Sequence, residues 1–144
     1  MKEADMVWQP GIGLGPIKFG MTIERARAFV ELEQATKMLR DEEDVSYDNE
    51  ALGLSVWDDD PDEEGIDTMR VARTLMLRDR NVIGMKLAAF SEMIGLRTPP
   101  VSDTVKMPEG DLKQVYDFDA LGAEIWVRNG VIVTVMLGPI YEYD

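Results

Sequence analysis

"SYDNEALGLSVW", Ser46 to Trp57, returns as "VYDFDALGAEIW", Val115 to Trp126. Comparing Tyr47–Trp57 with Tyr116–Trp126, six of eleven positions are identical: Tyr, Asp, Ala, Leu, Gly and Trp. The match runs upstream, where "FGMTIERARAFV" and "IGMKLAAFSEMI" each place Gly-Met before a helical pattern. Apolar residues recur at Ile23, Ala26 and Val30, then at Leu87, Phe90 and Ile94, the i, i+3, i+7 spacing of a buried helix face. Two copies of one unit, over about residues 11–78 and 79–138, explain this most simply. A chain of 144 residues is the size of one domain, residues 1–144 forming a single body.

Each unit reads as a helix followed by strands. Thr22 is the expected N-cap of a first helix that continues to about Arg40, with a break near Glu33 where the apolar face moves to Leu32, Ala35 and Leu39. Gly95 stops the second helix, and "RTPPVSDTVKMPEG" reads as a loop. "LGAEIWVRNGVIVTVML" places two alternating or β-branched runs about Asn129-Gly130, a strong hairpin signal. In the first unit the corresponding hairpin is lengthened to carry "DDDPDEEG".

Alternation assigns the faces. Leu52, Leu54 and Val56 share one side with Leu121, Ala123, Ile125 and Val127, joined by Met69, Val71, Leu75, Val131, Val133 and Val135. The other side carries Ser55, Trp57, Thr68, Arg70, Thr74, Glu124, Trp126, Arg128 and Thr134. The expected class is α+β: two tandem helix-plus-β-meander units forming an antiparallel sheet, with helices packed on one face.

Composition narrows the chemistry. The chain has no His and no Cys, which removes disulfides, His-activated or Cys nucleophiles and the common zinc sites. The N-terminal "MKEADMVWQPG" has no apolar signal region, so a cytoplasmic location is expected. Net charge is -13, unfavourable for nucleic acid or anionic membranes and favourable for a basic protein partner. Residues 41–67 hold 13 acids and no Lys or Arg, leaving 28 minus 13, or 15, acids against 15 bases elsewhere.

At the hairpin tip Asp58, Asp59, Asp60, Asp62, Glu63 and Glu64 form a partner-binding candidate, because crowded like charges cost folding energy that a cationic surface offsets. A solvated loop is the bland reading. A calcium loop fails by position, since counting from Asp58 places Glu63 and Met69 where Gly and Glu are needed; a looser Ca²⁺-binding module is an alternative. Trp57 and Trp126, with Arg70 and Glu124 beside them, are candidate anchors on the polar sheet face, weighed against structural rings packed across the joint between units. "GIGLG", Gly11–Gly15, precedes Pro16 and a short strand, so it reads as a lead-in turn and not a phosphate loop. No carboxylate pair stands out as an acid-base couple, so neither catalysis nor a cofactor is expected.

The residues "PIKFGMTIERARAFV" and "LGAEIWVRNGVIVTVML" resemble the repeat of beta-lactamase inhibitory proteins and of SmpA/OmlA envelope lipoproteins, a pattern shared with toxin immunity proteins. The resemblance implies an exposed sheet face and hairpin loops that grip an enzyme. The expectation is an acidic cytoplasmic inhibitor, the immunity protein of a basic toxin. A scaffold or assembly subunit using the Trp-bearing face is a further alternative.

Overall fold

The computed structural model describes residues 1–58 and 65–140. In both copies of the motif the shared Ala-Leu-Gly forms a single 3₁₀ turn, Glu50–Leu52 and Asp119–Leu121, followed by a left-handed glycine, Gly53 at φ 63° and Gly122 at φ 62°. Glycine takes that conformation at little steric cost. At Gly122 a Cβ would also lie 2.5 Å from the Gly138 carbonyl oxygen, whereas at Gly53 the nearest atoms belong to the flexible Arg73 side chain. Gly122→Ala is therefore expected to lower unfolding free energy by about 1–3 kcal/mol in urea titrations. An unchanged midpoint would contradict it.

The turns sit within a long antiparallel meander. A small sheet comes first, from β1 (Trp8–Gln9), β2 (Gly13–Leu14) and β3 (Ile17–Lys18), followed by α1 (Ile23–Ala26). Then come β4 (Glu33–Leu39), β5 (Glu42–Asn49), β6 (Leu54–Trp57) and β7 (Thr68–Val71), and a two-stranded ribbon of β8 (Met76–Leu77) and β9 (Arg80–Asn81). After α2 (Leu87–Ile94) follow β10 (Asp103–Lys106), β11 (Leu112–Phe118), β12 (Ala123–Arg128) and β13 (Val131–Leu137). The main sheet runs β10-β11-β12-β13-β7-β6-β5-β4, so two runs of consecutive strands meet where β13 pairs with β7.

This corrects the expected α+β class with helices packed on one sheet face. The chain is mostly β, with two helices of four and eight residues among the described residues and one eight-stranded antiparallel sheet. Thr22 does cap the first helix, its Oγ1 accepting from the Arg25 N–H at 3.1 Å, but the helix ends at Ala26. The stretch read as its continuation to Arg40 is the edge strand β4. Six of its seven residues are exposed, so neither face imposes the alternation that marks a half-buried strand. "RTPPVSDTVKMPEG", read as a loop, contains β10.

One face assignment also changes. Asn129-Gly130 does turn β12 into β13, but the register shifts after Trp126, which pairs with Thr134 while Val127 pairs with Ile132. The extra residue, Val133, is a β-bulge that reverses the alternation, so Ile132, Val135 and Leu137 are buried while Val131 and Val133 are only half-buried.

One side of the main sheet is core: Leu54, Val56, Met69, Val71, Ile125, Val127 and Val135 are all at most 1% exposed. Over them lie Trp8, Leu14 and Ile17 of the small sheet, Leu75 and Val82 around the ribbon, and Ile23, Ala26, Leu87 and Phe90 of the helices. The opposite side belongs to no such cluster.

Candidate functional site

Register across the main sheet lines up one row on the side away from the core: Asp117, Glu124, Met136, Arg70, Ser55, Asp48 and Glu33, one from each strand from β11 to β4. Period-two alternation dictates their common face, since each lies one residue from a core position such as Ile125, Met69 or Val56. The row holds four carboxylates and one guanidinium. Arg70, near its centre, is exposed and makes no ion pair or hydrogen bond among the described residues. Asp48 has a buried carboxylate oxygen, Oδ1, with no hydrogen-bond partner among the described residues. A carboxylate oxygen in that state is costly, and a cationic donor would relieve the cost.

The indoles flank this row. Trp57 lies two residues beyond Ser55 and pairs with Thr68; Trp126 lies two residues beyond Glu124 and pairs with Thr134. Because β7 and β13 are antiparallel, the two lie on diagonally opposite sides of the row, about 20 Å apart by strand and residue spacing. They do not pack on one another. Each is half-buried and stands outside the core cluster. The Trp57 Nε1–H donates to Asp44 Oδ1 at 3.1 Å, and the Trp126 Nε1–H donates to Glu124 Oε1 at 2.7 Å. Each indole is thus held beside a carboxylate, presenting an apolar surface next to negative charge.

Two shallow grooves follow the row on either side of its centre. One, of about 580 Å³, is lined by Glu31, Glu33, Asp48, Glu50 and Arg70; the other, of about 560 Å³, by Thr68, Asp117, Asp119, Glu124 and Met136. Asp48 with Glu50 in the first corresponds to Asp117 with Asp119 in the second, each pair leading into an Ala-Leu-Gly turn. Among the described residues no group of three acidic side chains is placed to hold a metal ion. The arrangement suits several separate cationic side chains.

The structure thus places Trp57, Trp126, Arg70 and Glu124 on one face. Asp58 follows Trp57 and is exposed, while Asp59, Asp60, Asp62, Glu63 and Glu64 lie outside the described residues. Asp48 and Asp117 were not singled out from the sequence, although both belong to the Tyr-Asp shared by the two copies and alternate away from the core. Glu33 was hidden because β4 was read as helix, and Asp44 because β5, its partner strand, was not recognised. Arg128, also on this face, pairs with Asp111 at 3.3 Å.

No helix among the described residues is long and apolar enough to cross a membrane. Compared with known proteins, the chain matches no family model, no curated protein and no solved structure.

Proposed function

We propose that the chain is a cytoplasmic inhibitor that binds a basic protein, in the manner of an immunity protein neutralising a toxin. The observation that carries this reading is the sheet face without an apolar cluster, where four carboxylates surround one guanidinium between two anchored indoles. Apolar surface beside unpaired charge is the composition of a protein interface hot spot, with Trp and Arg as its usual anchors. The surplus of carboxylates selects a cationic partner and steers its approach. Nucleases and other phosphate-handling toxins display such Lys and Arg clusters, and carboxylates pair with them in charge-assisted hydrogen bonds. Exposed Asp58 adds negative charge next to Trp57, and the sequence continues with five more acids, Asp59, Asp60, Asp62, Glu63 and Glu64.

The test is to use the full chain as bait in a lysate of its own cell, at low and high salt. A cationic protein is expected to be retained at low salt and released at high salt, and to lose its activity when mixed with one equivalent of the chain. Retention only of proteins whose activity is untouched would overturn the reading, as would the retention of no cationic protein.

A further inference from the structure

The two edges of the main sheet are built differently. β10 has four residues, follows Pro99 and Pro100 and is soon succeeded by Pro108; short strands and nearby prolines keep an edge from recruiting another strand. β4 has seven residues, no proline and no register shift against β5. Its outer side makes no hydrogen bond to any described residue. The β4–β5 turn has two residues, Arg40 and Asp41, at φ 50° and 66°, so Leu39 and Glu42 form the closing hydrogen-bonded pair. Alternating from there, the odd-numbered residues of β4 bond to β5, which leaves the N–H and C=O groups of Gln34, Thr36 and Met38 on the free edge.

We propose that β4 pairs antiparallel with β4 of a second copy, about a two-fold axis at Ala35. In that register Glu33 faces Lys37 twice, once on each side of the axis, and Gln34 faces Thr36. The charges of the strand are therefore self-complementary, and the hydrogen bonds fall to Gln34 and Thr36, whose groups are free. Ala35 meets its own copy in a non-hydrogen-bonded pair, where Cα atoms lie about 4.5 Å apart and a small side chain fits. Lys37 also faces Asp44 of its own β5, so its ammonium would lie between two carboxylates. Moving the axis to Thr36 sets Glu33 against Leu39 and Lys37 against Ala35, which loses both ion pairs. Two bodies of charge -13 repel, so self-association strengthens as salt rises from about 0.01 to 0.1 M and the Debye length falls from about 30 to 10 Å. This trend opposes the one expected for a basic partner, so the two associations are separable by experiment even though Glu33 belongs to both surfaces.

The test is sedimentation of the full chain over micromolar to millimolar concentration, where the mass should climb from 16.2 kDa towards twice that value. Glu33→Lys alone and Lys37→Glu alone each set like charges opposite one another and should weaken self-association about tenfold or more. An equal mixture of the two variants restores both ion pairs and should dimerise, which misfolded variants would not do. The chain has no cysteine, so Ala35→Cys should cross-link two copies on mild oxidation while Thr36→Cys should not. Three outcomes would each overturn the proposal: a constant 16.2 kDa, cross-linking through Thr36→Cys in place of Ala35→Cys, or an unpaired chain whose β4 amides are protected only by a foreign strand.

Discussion

Phe90→Ala is expected to unfold with about 3–5 kcal/mol less free energy than the parent chain, a large part of the 5–15 kcal/mol typical of a domain. Phe90 is fully buried on α2, yet its contacts reach far along the chain. Its ring stacks on Trp8 of β1 with centroids 6.2 Å apart and planes within 8°, and meets Phe118 at the end of β11 edge-on at 5.5 Å. One side chain therefore holds the small N-terminal sheet and one wing of the main sheet to the same helix. Alanine would lose the transfer energy of the ring and leave a cavity among three elements that cannot all collapse into it. The melting temperature should drop on the order of 10 °C. A loss no larger than that of a surface substitution would show that these three elements are held together by other contacts.

The second large effect concerns binding. Asp48→Lys combined with Asp117→Lys is expected to weaken the cationic partner's association about a thousandfold, since disrupting a desolvated charge pair costs about 2–5 kcal/mol at an interface. The two positions are equivalent in the two grooves and lie on either side of Arg70, so the reversal turns the central row from acidic to basic. Folding should survive, because Asp48 contributes a buried oxygen with no described partner and Asp117 is exposed. Asp79→Lys, on the distant turn between β8 and β9, should leave affinity within a few-fold. Equal losses at Asp79 and at the central row would mean that overall charge, and not this face, governs association.

What could be read from the sequence follows from how many faces of each strand are buried. β6, β7 and β12 bury one face and leave the other largely open, so their alternation announced both the core and the placement of Trp57, Arg70, Glu124 and Trp126. The Ala-Leu-Gly turns and Asn129-Gly130 were legible because their conformations demand particular residues. β4 was not, because a strand exposed on both sides carries no periodic signal, and its Ala35 and Leu39, with Leu32 just before it, mimic a helix face. The one signal present was the tetrapeptide Met-Leu-Arg-Asp, which occurs at Met38–Asp41 and at Met76–Asp79. In both places Arg and Asp adopt positive φ in a two-residue hairpin turn, without the Asn or Gly that normally flags one. The bulge at Val133 was hidden for a related reason, since an unbroken run of β-branched residues fits either register.

Of the candidate face, the sequence marked the two indoles but not the row of aligned carboxylates, and of the acidic run it singled out, Asp59, Asp60, Asp62, Glu63 and Glu64 lie outside the described residues. Thirteen acids between Asp41 and Asp67 drew the reading to the run from Asp58 to Glu64. The four carboxylates that the sheet aligns come from four different strands, and no linear cluster marks them. Asp48 and Asp117 were nonetheless present in the motif that revealed the duplication.

Hydroxyl-radical footprinting of the chain, free and bound to its cationic partner, is the most direct measurement. Trp57, Trp126 and Met136 should oxidise in the free chain and be protected in the complex, while buried Trp8 stays unreactive in both. Protection that spares these three and falls on Ile12, Phe29 or Leu112, which are exposed elsewhere on the chain, would contradict the assignment of the acidic sheet face as the docking surface.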